Sequence, residues 1–119
     1  YLELPEAFKR YPDFFPGVLK NLIDWLSRQI SETEPQVLAG KPAALSGITI
    51  GMSGTGLAQD HLVTLISLLN MDVMNYPRLT IPNAMGMLDK EGKLDLGASR
   101  SYLEKQAAAF IDFIRSRRK

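Results

Sequence analysis

Residues 40–69 read GKPAALSGITIGMSGTGLAQDHLVTLISLL. The first part, with Ala43, Ala44, Leu45, Ile48 and Ile50, carries apolar and small residues that suit a strand buried on both faces. Gly51, Gly54 and Gly56 follow, and after them apolar residues return at helical spacing. The stretch therefore reads as a strand, a glycine-rich loop and a helix. At such a junction glycine lets a ligand approach the backbone, and the free N–H groups of the first helical turn attract a polar or anionic group. The same glycines also suit a tight strand-to-helix turn with no ligand, so the motif alone leaves both readings open.

Composition narrows the class. The 119 residues are 45% hydrophobic and 23% charged, the balance of one soluble globular domain. A formal net charge of +1 supplies no field that would draw the protein to nucleic acid or to an anionic membrane. No apolar run reaches the roughly 18 residues that a spanning helix requires, and no secretory leader pattern is present, so the expected location is the cytoplasm. Without cysteine and with His61 as the single histidine, disulfides, thiol catalysis and a nitrogen-and-sulfur zinc site are excluded, and no metal ligands are assigned.

Outward from the central stretch, residues 1–14 encode no buried strand, because Pro5 interrupts the start at Tyr1, Leu2 and Leu4. Pro16 and Gly17 open a helix of about three turns with Val18, Leu19, Leu22, Ile23, Trp25 and Leu26 as a wide apolar stripe. Leu22, Ile23 and Leu26 are expected in the core. Trp25 reads first as core, with a contact to a second subunit as the other reading. A polar connection through Pro35 leads to Gly40. Beyond the central helix, Asn70 is a helix stop, Met71 to Tyr76 a short strand, and Leu79 to Ile81 its continuation past Pro77. Pro82 to Leu94 reads as an exposed loop. Leu103, Ala107, Phe110, Ile111 and Ile114 then define one face of a terminal helix whose basic end suits the helix dipole.

The order is helix, strand, helix, strand, helix, with connections long enough for parallel crossovers. Two parallel strands leave open edges and too little sheet to cover three amphipathic helices. Further strands are expected on the N-terminal side.

The strings PGVLKNLIDWLSR (16–28), GKPAAL (40–45), the glycine loop, GLAQDHL (56–62) and YPRLTIPNA (76–84) resemble the NADPH-dependent FMN reductase family, whose flavodoxin-like members include azo-dye and quinone reductases. The resemblance runs from Pro12 to the C-terminus. It implies an α/β fold of the flavodoxin type, a three-layer parallel sheet of which 1–119 form a single partial domain holding the last two strands. It further implies bound FMN, NADPH or NADH as hydride donor, a small-molecule flavin, quinone or azo acceptor, and a homodimer or tetramer. Residue by residue, the family's turn along the flavin falls on Pro12, Asp13 and Phe14, and its second ring contact on Thr49, Gly51, Ser53, Gly54, Thr55 and Gly56. Phe14 stands where the family has a tyrosine hydroxyl, and the second glycine of the family's Gly-Gly pair is displaced to Gly56.

The family's Gly-Ser-x-Arg phosphate loop has no counterpart in the sequence, nor has the apolar strand that would run into Pro12. The expectation is a C-terminal part of a longer protein, the alternative being a truncated relative that holds no flavin by itself. In the flavoenzyme reading the cofactor carries the chemistry, so no catalytic acid or base is assigned and His61 has no catalytic role. Ser53 and Asp24 share no motif with a histidine, which excludes a hydrolase triad. Two rival classes remain: a non-catalytic oligomerisation domain, and a Rossmann-type dinucleotide module. The second has Gln59 where its fingerprint needs a small residue.

Overall fold

The computed structural model describes residues 15–118. Their elements in order are helix α1 (Gly17–Leu26), strand β1 (Pro42–Ile48), helix α2 (Gly56–Leu68), strand β2 (Asp72–Ile81), a 3-10 turn (Ala84–Met87) and helix α3 (Ser99–Arg117). β1 and β2 are hydrogen-bonded neighbours. Asp72 N–H donates to the Lys41 carbonyl at one end and Thr49 N–H to the Ile81 carbonyl at the other, so both strands advance together and the pair is parallel. The architecture is α/β, as the sequence predicts. No described helix is long and apolar enough to cross a membrane.

The chain divides into two compact units. The first comprises the described part of Tyr1–Ala43 together with Leu57–Val73. Its helix α1 starts at Pro16, whose fixed φ of −60° suits a helix entry, and ends where Ser27 turns its hydroxyl onto the Asp24 carbonyl at 2.7 Å. Ile23 is the buried residue of α1, with Leu19 half-buried one turn before it. Leu22 and Leu26, expected in the core, are exposed, and so is Trp25 at 63%, against its core reading. The physical reason is the width of the stripe: at 3.6 residues per turn the six apolar residues spread over an arc of about 160°, and the described residues cover only the Leu19 and Ile23 edge of it.

α2 buries Gln59 and Ile66, seven positions apart on one face. It ends as expected at Asn70, in the left-handed conformation with φ 62°. Met71 N–H reaches the Ile66 carbonyl at 3.1 Å and Asn70 N–H the Ser67 carbonyl at 2.9 Å, the paired bonds of a Schellman ending. The polar connection is tied to this end, since the Gln36 side-chain amide donates to the Leu69 carbonyl and Gly40 N–H to the Asn70 carbonyl.

The second unit, Ala44–Gly56 with Met74–Lys119, contains the glycine loop. Leu45, Met74, Leu79 and Ile81 are its buried apolar side chains. β2 continues through Pro77, reached by a cis Tyr76–Pro77 bond, as one strand to Ile81. α3 buries Gln106, with Ala109, Phe110 and Phe113 half-buried beside it. Of the face expected from the apolar spacing, Phe110 and Ile114 are half-buried whereas Leu103, Ala107 and Ile111 are exposed. The covered face is thus turned toward Gln106, because a polar residue there has two backbone acceptors to satisfy it: the Leu45 carbonyl at 2.6 Å and the Pro77 carbonyl at 3.2 Å.

Candidate functional site: the glycine loop

The residues between β1 and α2 form the loop, and its entrance is fastened to the chain that leaves β2. Beyond the Thr49 to Ile81 bond comes Pro82, which has no N–H to offer. The next two donors serve the loop: Asn83 N–H donates to the Gly51 carbonyl at 3.0 Å and Ala84 N–H to the Thr49 carbonyl at 2.9 Å. Gly51 N–H donates to the Thr49 hydroxyl at 3.2 Å, which folds the first turn of the loop onto itself.

The glycines differ in what they do. Gly54 has φ +76°, a conformation side chains rarely adopt, while a Cβ there would meet Thr80 only at ordinary contact distance, 3.4 Å. Among the described residues a Cβ on Gly56 would meet nothing within 4 Å, and one on Gly51 only the Thr49 hydroxyl at 3.7 Å, so these two present backbone that the described residues leave open. Gly47 in β1, absent from the sequence-based assignment, is covered by the Thr55 side chain, whose Cβ would lie 2.9 Å from any Cβ added there. Thr55 therefore lies back against the strand. Gly86 is likewise covered by the Asn83 side chain, and Asn83 itself is left-handed at φ 55° and ψ 48°.

Chemically the loop is uncharged, since Thr49 to Gly56 contain no ionisable residue. Among the described residues the N–H groups of Met52 and Ser53 donate to no acceptor. The loop also carries exposed apolar side chains, Ile50 at 57% and Met52 at 77%, and Met85 in the 3-10 turn is exposed at 63%. Open glycine backbone, free N–H donors and apolar surface fit the ring of a flat heteroaromatic cofactor with polar edges, rather than an anion. Thr49, Gly51, Ser53, Gly54, Thr55 and Gly56 lie together in this one segment; Pro12, Asp13 and Phe14 lie outside the described residues. Sequence reasoning assigned no role to Gly47, Asn83 or Gly86. A proline directly before an Asn that must reverse the chain was the legible signal for Asn83. A hollow of about 350 Å³ beyond the 3-10 turn includes Asp89 and Asp95. Asp89 accepts from the N–H groups of Glu91 and Lys93, and Asp95 from that of Gly97, so both carboxylates organise their own turns.

Residues 10–86 match the family described as NADPH-dependent FMN reductase. The chain belongs to that family. Within the FMN reductase family it is 34% identical over 108 residues to a 2-hydroxy-1,4-benzoquinone reductase of Burkholderia sp., covering 91% of this chain and 57% of the relative. It is 36% identical over 109 residues to an NAD(P)H-dependent FMN reductase of Pseudomonas aeruginosa, covering 92% and 57%. With a quinone reductase of Escherichia coli it shares 35% identity over 100 residues, covering 83% and 51%. The chain thus spans little more than half the length of these relatives. The flavodoxin-like class expected from the resemblance agrees with the family and with the α/β architecture.

Proposed function

We propose that the protein is an FMN-dependent NAD(P)H oxidoreductase and that residues 1–119 are a partial flavodoxin-like domain supplying one side of the flavin-ring site. The observation that carries the reading is the fastened loop: Gly51 and Gly56 present backbone to open space while Asn83 and Ala84 hold the loop entrance in place. Family membership and the names of the relatives support the same activity.

FMN, when bound, accepts a hydride from NADPH or NADH and gives electrons to a small acceptor, for which quinones are the first choice and flavins or azo compounds the others. Thr49 and Gly51 would lie under the ring, with the N–H groups of Met52 and Ser53 facing its polar edge. Gly54 lets the loop turn at positive φ, and Gly56 leaves the space at the start of α2 open. Thr55 contributes by packing on Gly47, which keeps the loop from collapsing into that space. Pro12, Asp13 and Phe14 are proposed to complete the site from the N-terminal side. Ile50, Met52 and Met85 would exclude water from one edge of the ring.

The exposed apolar face of α1, Val18, Leu22 and Trp25, supports assembly as a homodimer or tetramer. The proposed location is the cytoplasm. The test is direct. Purified full-length protein should carry flavin absorbance, lose it anaerobically on addition of NADPH or NADH, and recover it on addition of a quinone. Protein that is colourless after incubation with FMN and removal of the unbound flavin contradicts the reading.

A further inference from the structure

We infer that Asn83 is a positioning residue for the flavin: its left-handed backbone sets where the Thr49–Gly51 segment stands. This rests on the FMN reading above. In an extended chain, successive N–H groups point to opposite sides, so Asn83 and Ala84 could not both serve one loop. At φ 55° and ψ 48° the two N–H groups converge, and their acceptors are the carbonyls of Gly51 and Thr49. The Thr49 to Ile81 bond precedes these two and ends the regular pairing of the strands. Conformation at a single residue therefore decides the height and tilt of the backbone on which the ring is proposed to lie.

Asn is among the few residues with a side chain that tolerate this conformation. Its amide group lies over Gly86, where an added Cβ would come within 3.1 Å of both the amide carbon and oxygen of Asn83. Gly86 thus leaves room for the Asn83 side chain, and a methyl group at position 86 would push that exposed side chain aside. Asn83 is exposed and Gly86 is exposed, so neither is needed to fill a core. What position 83 has to supply is the direction of two N–H groups.

The experiment uses the full-length protein and three variants, with FMN affinity read from quenching of flavin fluorescence and ring environment from the visible circular dichroism of bound FMN. Asn83→Val places a β-branched side chain in the left-handed region and should weaken FMN about tenfold and change the dichroism. Gly86→Ala only displaces an exposed amide that the glycine variant at position 83 removes altogether, so it should leave both readouts within about twofold of the parent. Asn83→Gly keeps the conformation and loses the side chain, so it should hold FMN within about twofold of the parent and keep its spectrum. Ile23→Val, remote in sequence and in the other compact unit, controls for lost stability. Unchanged affinity and dichroism in Asn83→Val overturns the inference, as does an equal loss of affinity in Ile23→Val at the same drop in Tm. A parent protein that binds no FMN overturns the flavin reading, and the inference with it; a parent that binds while Asn83→Val and Asn83→Gly behave alike overturns the inference alone.

Discussion

Gln106, at the middle of α3, places its side-chain amide 2.6 Å from the Leu45 carbonyl in β1. The same amide reaches the Pro77 carbonyl in β2 at 3.2 Å. One glutamine thus ties the terminal helix to both strands of the sheet at the level where β2 passes through a residue with no N–H. Its side chain is 6% exposed, so the bonds are made away from water, where an unmet carbonyl is costly.

Replacing Gln106 by Leu keeps the volume and removes both bonds. Both side-chain donations to the strands are lost from a buried position, and the expected loss is about 1 to 3 kcal/mol in urea unfolding. Gln106→Glu should lose more at neutral pH, since a carboxylate would face two carbonyl oxygens. A Leu variant within about 0.5 kcal/mol of the parent would show that the helix is held by its aromatic contacts alone.

Gly47 and Thr55 should be coupled. Gly47→Ala drives a methyl group into the Thr55 side chain and is expected to destabilise by about 1 to 3 kcal/mol. Thr55→Ala in the same chain removes the obstacle, so the double variant should recover part of that loss, and the double-mutant cycle measures the coupling. Strictly additive effects would mean that Thr55 does not rest on β1.

On α1 the burden falls on one residue. Ile23→Ala should cost about 2 to 5 kcal/mol, as for a buried aliphatic side chain. Val18→Ala, on the exposed side, should cost less than half of that in protein diluted to its lowest assembly state. Equal costs at both positions would put the buried face elsewhere on the helix.

If α1 carries the proposed contact between copies, Trp25 reports on it. As the single tryptophan, exposed at 63%, it should shift its emission to shorter wavelength and resist acrylamide quenching as protein concentration rises. Trp25→Glu should abolish that dependence and lower the mass measured by sedimentation. Emission and mass that are independent of concentration in the parent contradict the proposal.

The legible parts of this chain are those in which local chemistry decides. The strand–loop–helix at 40–69, the helix stop at Asn70 and the existence of α3 follow from glycine, asparagine and apolar period, and they stand where expected. Helix faces were harder to read. Apolar spacing points to Leu103 and Ile111 on α3, yet the covered position is Gln106, whose amide finds two strand carbonyls to bond there. On α1 the stripe was too wide for spacing to choose among Leu22, Ile23 and Trp25. Within the candidate site, the glycines were visible but their different tasks were not. The positive φ at Gly54, the open space at Gly51 and Gly56, and the turn at Asn83 depend on partners 30 or so residues away, such as Thr80 and Ile81, which no local pattern identifies.

That distinction among glycines selects the decisive variant. Valine at Gly54 would strain the backbone at φ +76° whether or not a ring lies there, whereas Gly51 shows no such conformation and faces open space. The most direct measurement is therefore FMN titration of Gly51→Val in the full-length protein, alongside its thermal unfolding without FMN. The unfolding midpoint should stay close to the parent's and the FMN affinity should fall by about tenfold or more, because the branched side chain occupies the place of the ring. An unaltered FMN affinity in a folded Gly51→Val protein would contradict the assignment of this loop to the flavin.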